Sequence, residues 1–224
     1  MCRQDGHTWS IIVADSHTRE IGVAGASCTF DCRGICSILP GKGAIVVQAR
    51  SNTDARDKGL ELMDRGATPK QILDAIRKPF FNPEKQQYAI LTLNQLNAAV
   101  TYTGKQTRFH KKALTAEGIA AQGNTLGSRH VIPAMMEAAS AARKRKLPLA
   151  EVLMDALEAG SEAGGDKRCG EQRATSAFLT VARPDDHPER FFLDLQITGE
   201  KIGGSNAVSL LRTKFGLFQS GKSE

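Results

Sequence analysis

Aromatic side chains are scarce, at 5% of the 224 residues, with one tryptophan and two tyrosines. Proteins that grip unpaired bases stack them on several rings, so this shortage argues against a nucleic-acid partner. Long apolar runs are missing as well. No stretch reaches the roughly 20 residues that a membrane-spanning helix needs. The opening MCRQDGH has no apolar centre and does not read as a secretory signal. A cytoplasmic protein without a membrane partner is expected. Cysteine is sparse, at five residues: Cys2, Cys28, Cys32, Cys36 and Cys169. An odd number with no signal segment predicts reduced thiols. The spacing of Cys28, Cys32 and Cys36 fits no zinc or iron–sulfur pattern, so small buried thiols are expected, with no metal or other cofactor. The histidines, at positions 7, 17, 110, 130 and 187, form no HExxH pair, which leaves a zinc hydrolase unsupported. A G-x-S-x-G nucleophile elbow is absent too. No linker rich in Pro, Ser or charge interrupts the chain. Residues 1–224 therefore read as one domain, with a core over 7–200 and a C-terminal helix and tail over 201–224.

What is present has ordinary proportions: 41% apolar and 24% charged residues. The net charge of +6 is compatible with an acidic ligand. Its densest run, Arg143-Lys144-Arg145-Lys146, falls where a helix ends, and cations there complement the helix dipole. That run reads as a solvated helix end rather than a nucleic-acid surface.

Along the chain, residues 8–14 (TWSIIVA), 21–27 (IGVAGAS) and 43–48 (GAIVVQ) read as strands apolar on both faces, which must be covered on each side. A helix follows over 52–65, with Asn52 or Thr53 as cap and Gly66 closing it. TPKQ at 68–71 is a capping box with proline in the first turn, so a second helix runs to about Arg77. Strands are expected at 88–93, 98–102 and 118–122, and helices at 131–143 and 148–159. Strands at 174–182 and 191–197 and a helix at 206–215 complete the chain. Helices in pairs around doubly apolar strands predict two stacked sheets roofed by helices, an α+β arrangement.

Four features bear on chemistry. Gly216 to Ser223, GLFQSGKS, matches the phosphate-loop pattern, but one residue follows it where that loop needs a helix N-terminus. The match is rejected. The corner AQGNTL at 121–126 ends a strand at Gln122, turns at Gly123 and offers amides to an anion or oxyanion; its plain reading is a glycine turn. Thr8 and Ser10 share one face of the first strand and offer hydroxyls. AGGDKR, at 163–168, sets Asp166, Lys167 and Arg168 on a glycine turn after a helix.

Together TWSIIVA, EIGVAGAS, VVQARSN, AAQGNTL and AGGDKR resemble the signature segments of domain-of-unknown-function family 1028, in that family's order. The resemblance implies a place in the N-terminal-nucleophile hydrolase superfamily and a four-layer αββα sandwich of two mainly antiparallel sheets. It implies that Thr8, freed at the N-terminus by loss of residues 1–7, attacks an amide carbonyl with its own α-amine as base. Ser27, Asn52, Asn124 and Asp166 occupy the other signature positions. Asn124 and nearby amides would hold the oxyanion, and Asp166 would orient Arg168 or the substrate. Asn52, Gln122, Gly123, Lys167 and Arg168 are the expected ligand contacts. Loss of Met1 alone would instead expose Cys2. Two functions stay open: hydrolysis of a small amide or peptide-like substrate, or ligand binding by an uncleaved, non-catalytic protein on the same scaffold. Sheet edges and the positive charge leave a homo-oligomer open.

Overall fold

The computed structural model describes residues 5–6, 8–108 and 110–221. Among the described residues, eleven strands form two antiparallel sheets. The strands are β1 (Asp5–Gly6), β2 (Thr8–Ala14), β3 (Ile21–Ser27), β4 (Cys36–Leu39), β5 (Gly43–Arg50) and β6 (Gln87–Thr92), then β7 (Val100–Thr103), β8 (Lys112–Ala116), β9 (Ile119–Gly123), β10 (Ser176–Ala182) and β11 (Leu193–Ile197). One sheet has the order β11-β10-β3-β2-β9-β8. The other runs β1-β5-β6-β7, with β4 also on β5.

Helices α1 (Thr53–Asp64) and α2 (Pro69–Ile76) cover the smaller sheet; α3 (Val131–Lys144), α4 (Leu149–Glu162) and α5 (Ala207–Gln219) cover the larger. Strand alternation sorts the residues into layers. On β2, Trp9, Ile11 and Val13 pack under α3 and α4, whereas Ile12 and Ala14 face the other sheet. On β5, Ile45 and Val47 meet α1 and α2, whereas Ala44 and Val46 face inward. The doubly apolar strands are thus buried on both sides, each large side chain contributing about 1.5–3 kcal/mol. The capping box forms as read: Gln71 N donates to Thr68 Oγ1 at 3.2 Å, and Thr68 N to Gln71 Oε1 at 2.9 Å.

Several expectations need correction. Cys28 and Cys169 are not reduced thiols; they form a disulfide with sulfurs 2.05 Å and Cα atoms 5.7 Å apart. Cys32 and Cys36 are free and buried, as expected. Strands β1, β4 and β8 lie where no strand was read, and the expected strand at 98–102 begins later, after a 3-10 turn over Leu96–Ala98. Residues Gly216 to Gln219 form the last turn of α5, so the rejected phosphate-loop match starts inside a helix; its last two residues, 222 and 223, lie outside the described residues, as does Cys2. The basic run ends α3, where Arg143 Nη1 donates to the Glu117 carbonyl at 2.5 Å and Arg145 pairs with Asp155 at 3.0 Å. Among the described residues, no helix is long and apolar enough to cross a membrane.

Candidate functional site

At one end of the inter-sheet space the apolar layer gives way to amides and hydroxyls. Strand register explains the change. Ser176 of β10 lies opposite Ser27 of β3, and Ser27 opposite Thr8 of β2. Three hydroxyl residues thus form a row across three strands, with Cβ neighbours about 4.5–5.5 Å apart. Beyond Thr8 stands Asn124, whose backbone N–H donates to the Thr8 carbonyl at 3.2 Å. Gln122 pairs with Ser10 one step further in.

Side-chain amides of the second sheet close the layer. Ser10 Oγ donates to Gln48 Oε1 at 2.6 Å. Gln48 Nε2 donates to the Thr8 carbonyl at 3.0 Å and to Gln87 Oε1 at 3.1 Å. Gln87 Oε1 also accepts from Asn124 Nδ2 at 2.9 Å, and Gln87 Nε2 donates to the Gly123 carbonyl at 3.0 Å. The backbone of Thr8 is therefore held from both sides. Its hydroxyl is not. Thr8 is 1% exposed, and its Oγ1 has no hydrogen-bond partner among the described residues. The same holds for Ser176 Oγ and for both ends of the Gln122 amide. Such orphans cost about 1–3 kcal/mol each, so a buried one calls for an explanation.

The glycine turn after α4 supplies the remaining wall. Gly165, at φ +52°, adopts the left-handed region that glycine favours, and Gly127 N donates to its carbonyl at 2.8 Å. A Cβ on Gly127 would sit 2.2 Å from the Gly164 carbonyl oxygen, so only glycine lets these two loops touch. Their contact sets Asp166 beside Leu126. The Asp166 carboxylate, 1% exposed, accepts four hydrogen bonds: from Cys28 N at 3.1 Å, Arg168 N and Nε at 3.0 Å each, and Arg168 Nη2 at 2.6 Å. Arg168 Nη2 lies 3.4 Å from Ser27 Oγ. The disulfide joins the residue after Ser27 to the residue after Arg168.

Thr8, Thr29, Asp31, Cys32, Gly34, Ile35, Gln48 and Ser51 line a cleft of about 80 Å³ here. Burial pushes the Cys32 thiol up to about 12, so it stays protonated and non-nucleophilic near neutral pH. Among the described residues no three His, Cys, Asp or Glu side chains converge as metal ligands.

The structure therefore gathers Thr8, Ser27, Gln122, Gly123, Asn124, Asp166 and Arg168 at one end of the sheets. Lys167 is exposed, and its backbone N–H donates to the Thr125 carbonyl at 3.0 Å. Asn52 is employed elsewhere: its Oδ1 caps α1 by accepting from Ala55 N at 3.0 Å, and its Nδ2 donates to the Phe81 carbonyl at 2.9 Å. Sequence reading missed Gln48, Gln87, Asp31 and Ser176. A polar residue closing the apolar run GAIVV was the available signal for Gln48.

The sequence model of a family described as "Family of unknown function (DUF1028)" matches residues 8–202. A crystal structure of protein SPO2555 from Silicibacter pomeroyi, described with the same family, is 26% identical and superposes with a TM-score of 0.78, covering 97% of this chain and 87% of that one. No curated protein matches. The chain belongs to the DUF1028 family.

Proposed function

We propose that this protein is a hydrolase of the N-terminal-nucleophile type, with Thr8 attacking a small amide or peptide-like substrate. The observation that carries this reading is the Thr8 hydroxyl itself, buried at a polar cleft, without a partner among the described residues, on a backbone locked by Gln48 and Asn124. Hydrolysis of the bond between His7 and Thr8 would free the α-amine of Thr8, whose ordinary pKa is near ~8. That amine takes the hydroxyl proton, the oxygen bonds to the substrate carbonyl carbon, and the leaving amine departs with the proton. Water then cleaves the ester and restores the hydroxyl. Asn124 on one flank of Thr8, and Ser27 with Arg168 on the other, are the groups nearest the developing oxyanion. Asp166 positions Arg168.

Intact-protein mass measured on turnover-competent material tests it. Loss of residues 1–7 is expected, and Thr8→Ala should stay full-length and inert. Turnover by protein that retains those residues would remove Thr8 from the mechanism. A second reading, an uncleaved ligand-binding protein, is favoured by one observation: Asp5–Gly6 pairs with Arg50–Ala49, which seats the chain upstream of Thr8 in the smaller sheet. It predicts full-length protein, stabilised by ligands it never turns over.

A further inference from the structure

We infer that the cleft takes a ligand carrying a protonated amine, with the Asp31 carboxylate as its anchor. Resting on the hydrolase reading above, this names the substrate class: amides of amino acids with a free amino group. Among the described residues, Asp31 is the one carboxylate in the cleft wall that also holds Thr8. Its geometry is fixed by its own loop. Oδ1 accepts from Arg33 N at 2.8 Å, and the Asp31 carbonyl accepts from Thr29 Oγ1 at 3.1 Å. Oδ2 carries no protein hydrogen bond among the described residues, so an acceptor with a full charge remains for a ligand.

The neighbouring cations are committed elsewhere. The Arg33 Nε pairs with Asp194 at 3.0 Å, Arg168 with Asp166 at 2.6 Å, and Arg56 donates to the Gly34 carbonyl. The other polar side chains of the wall, Thr8, Thr29, Gln48 and Ser51, are neutral, and Cys32 is protonated. Asp31 is half-buried in the cleft wall, and a charge-assisted hydrogen bond from an ammonium to its carboxylate is stronger there than in open water. At about 80 Å³ it admits a small headgroup rather than a long side chain. A carbonyl at Thr8 and an ammonium at Asp31, held in one small cleft, match the two polar ends of an aminoacyl group. Thr8, whose buried hydroxyl has no partner among the described residues, lines the same cleft, an independent sign that a polar ligand completes it.

The test compares alaninamide with N-acetylalaninamide by thermal shift on the full-length protein and on Asp31→Asn, with ligand near ~10 mM so that weak binding registers. Asparagine keeps the Oδ1 contact to Arg33 N, so this variant folds. Alaninamide should raise the melting temperature of the wild type, N-acetylalaninamide should not, and Asp31→Asn should lose the shift. Equal shifts with both amides, no shift with either, or an undiminished shift in Asp31→Asn each overturn the inference. A second arm measures hydrolysis of alanine anilide and its N-acetyl form by mature protein. A preference for the free amine that falls about tenfold or more in Asp31→Asn supports the assignment. Amine-selective binding without hydrolysis of either anilide retains the Asp31 site and rejects the hydrolase reading.

Discussion

The two ends of the space between the sheets are built from the same strands and differ in every layer. At one end β2 contributes Ile12 and Ala14, β5 Ala44 and Val46, β6 Ala89 and Leu91, and β10 Phe178. At the other, those strands contribute Ser10 and Thr8, Gln48, Gln87, and Ser176. The first end gains from every side chain it excludes from water. The second stacks polar groups in a low-dielectric layer, where satisfied amides rigidify and unsatisfied ones cost. Stability and chemistry are thus divided along the strands rather than between elements.

Substitutions should separate the two ends. The largest expected effect is at the polar end: Thr8→Ala should lower turnover at least about 10³-fold, yet leave the melting temperature unchanged or slightly raised, since no hydrogen bond is lost. A fall in stability comparable to a core truncation would make Thr8 a structural residue. Next comes the disulfide. Cys28→Ser with Cys169→Ser removes a cross-link spanning 141 residues and should cost up to about 5 kcal/mol in denaturant unfolding without reductant. Added dithiol should bring the wild type to the same value. At the apolar end Ile12→Ala should cost about 2–4 kcal/mol by cavity formation, read from the same transitions, while turnover per folded molecule stays within about twofold. The smallest effect is expected at Gln122→Leu. Both ends of that amide lack partners, so an apolar replacement of similar size should be neutral or stabilise by about 1 kcal/mol. A loss above that would show that the amide is satisfied in solution.

The elements were legible where local chemistry decides them. Strands β2 and β3 match their readings residue for residue, because unbroken apolar runs bounded by turn residues admit little else. The α2 start follows from its capping box alone. Strands β1, β4 and β8 were not legible. Residues Lys112–Ala116 form an edge strand with little burial, so its sequence carries no apolar alternation, and Cys36–Leu39 is too short to show a period. Much of the candidate site was legible through the family's signature segments, but Asn52 shows the limit. An asparagine in a signature can be there to start a helix. Gln48 and Gln87 were invisible as partners of Thr8 and Asn124 because those contacts bridge two sheets drawn from distant parts of the chain.

The amino-acid order by itself determined the doubly buried strands, the helix caps and the glycines that permit the turn before Asp166, since these rest on periodicity, backbone conformation and neighbours a few residues away. Only the tertiary structure decided the rest. Whether Cys28 is a thiol or half of a cross-link, whether Thr8 has a partner, and which acid shares its cleft all depend on groups 20 to 160 residues apart. Those distances are set by the register and stacking of two sheets, and no local preference encodes them.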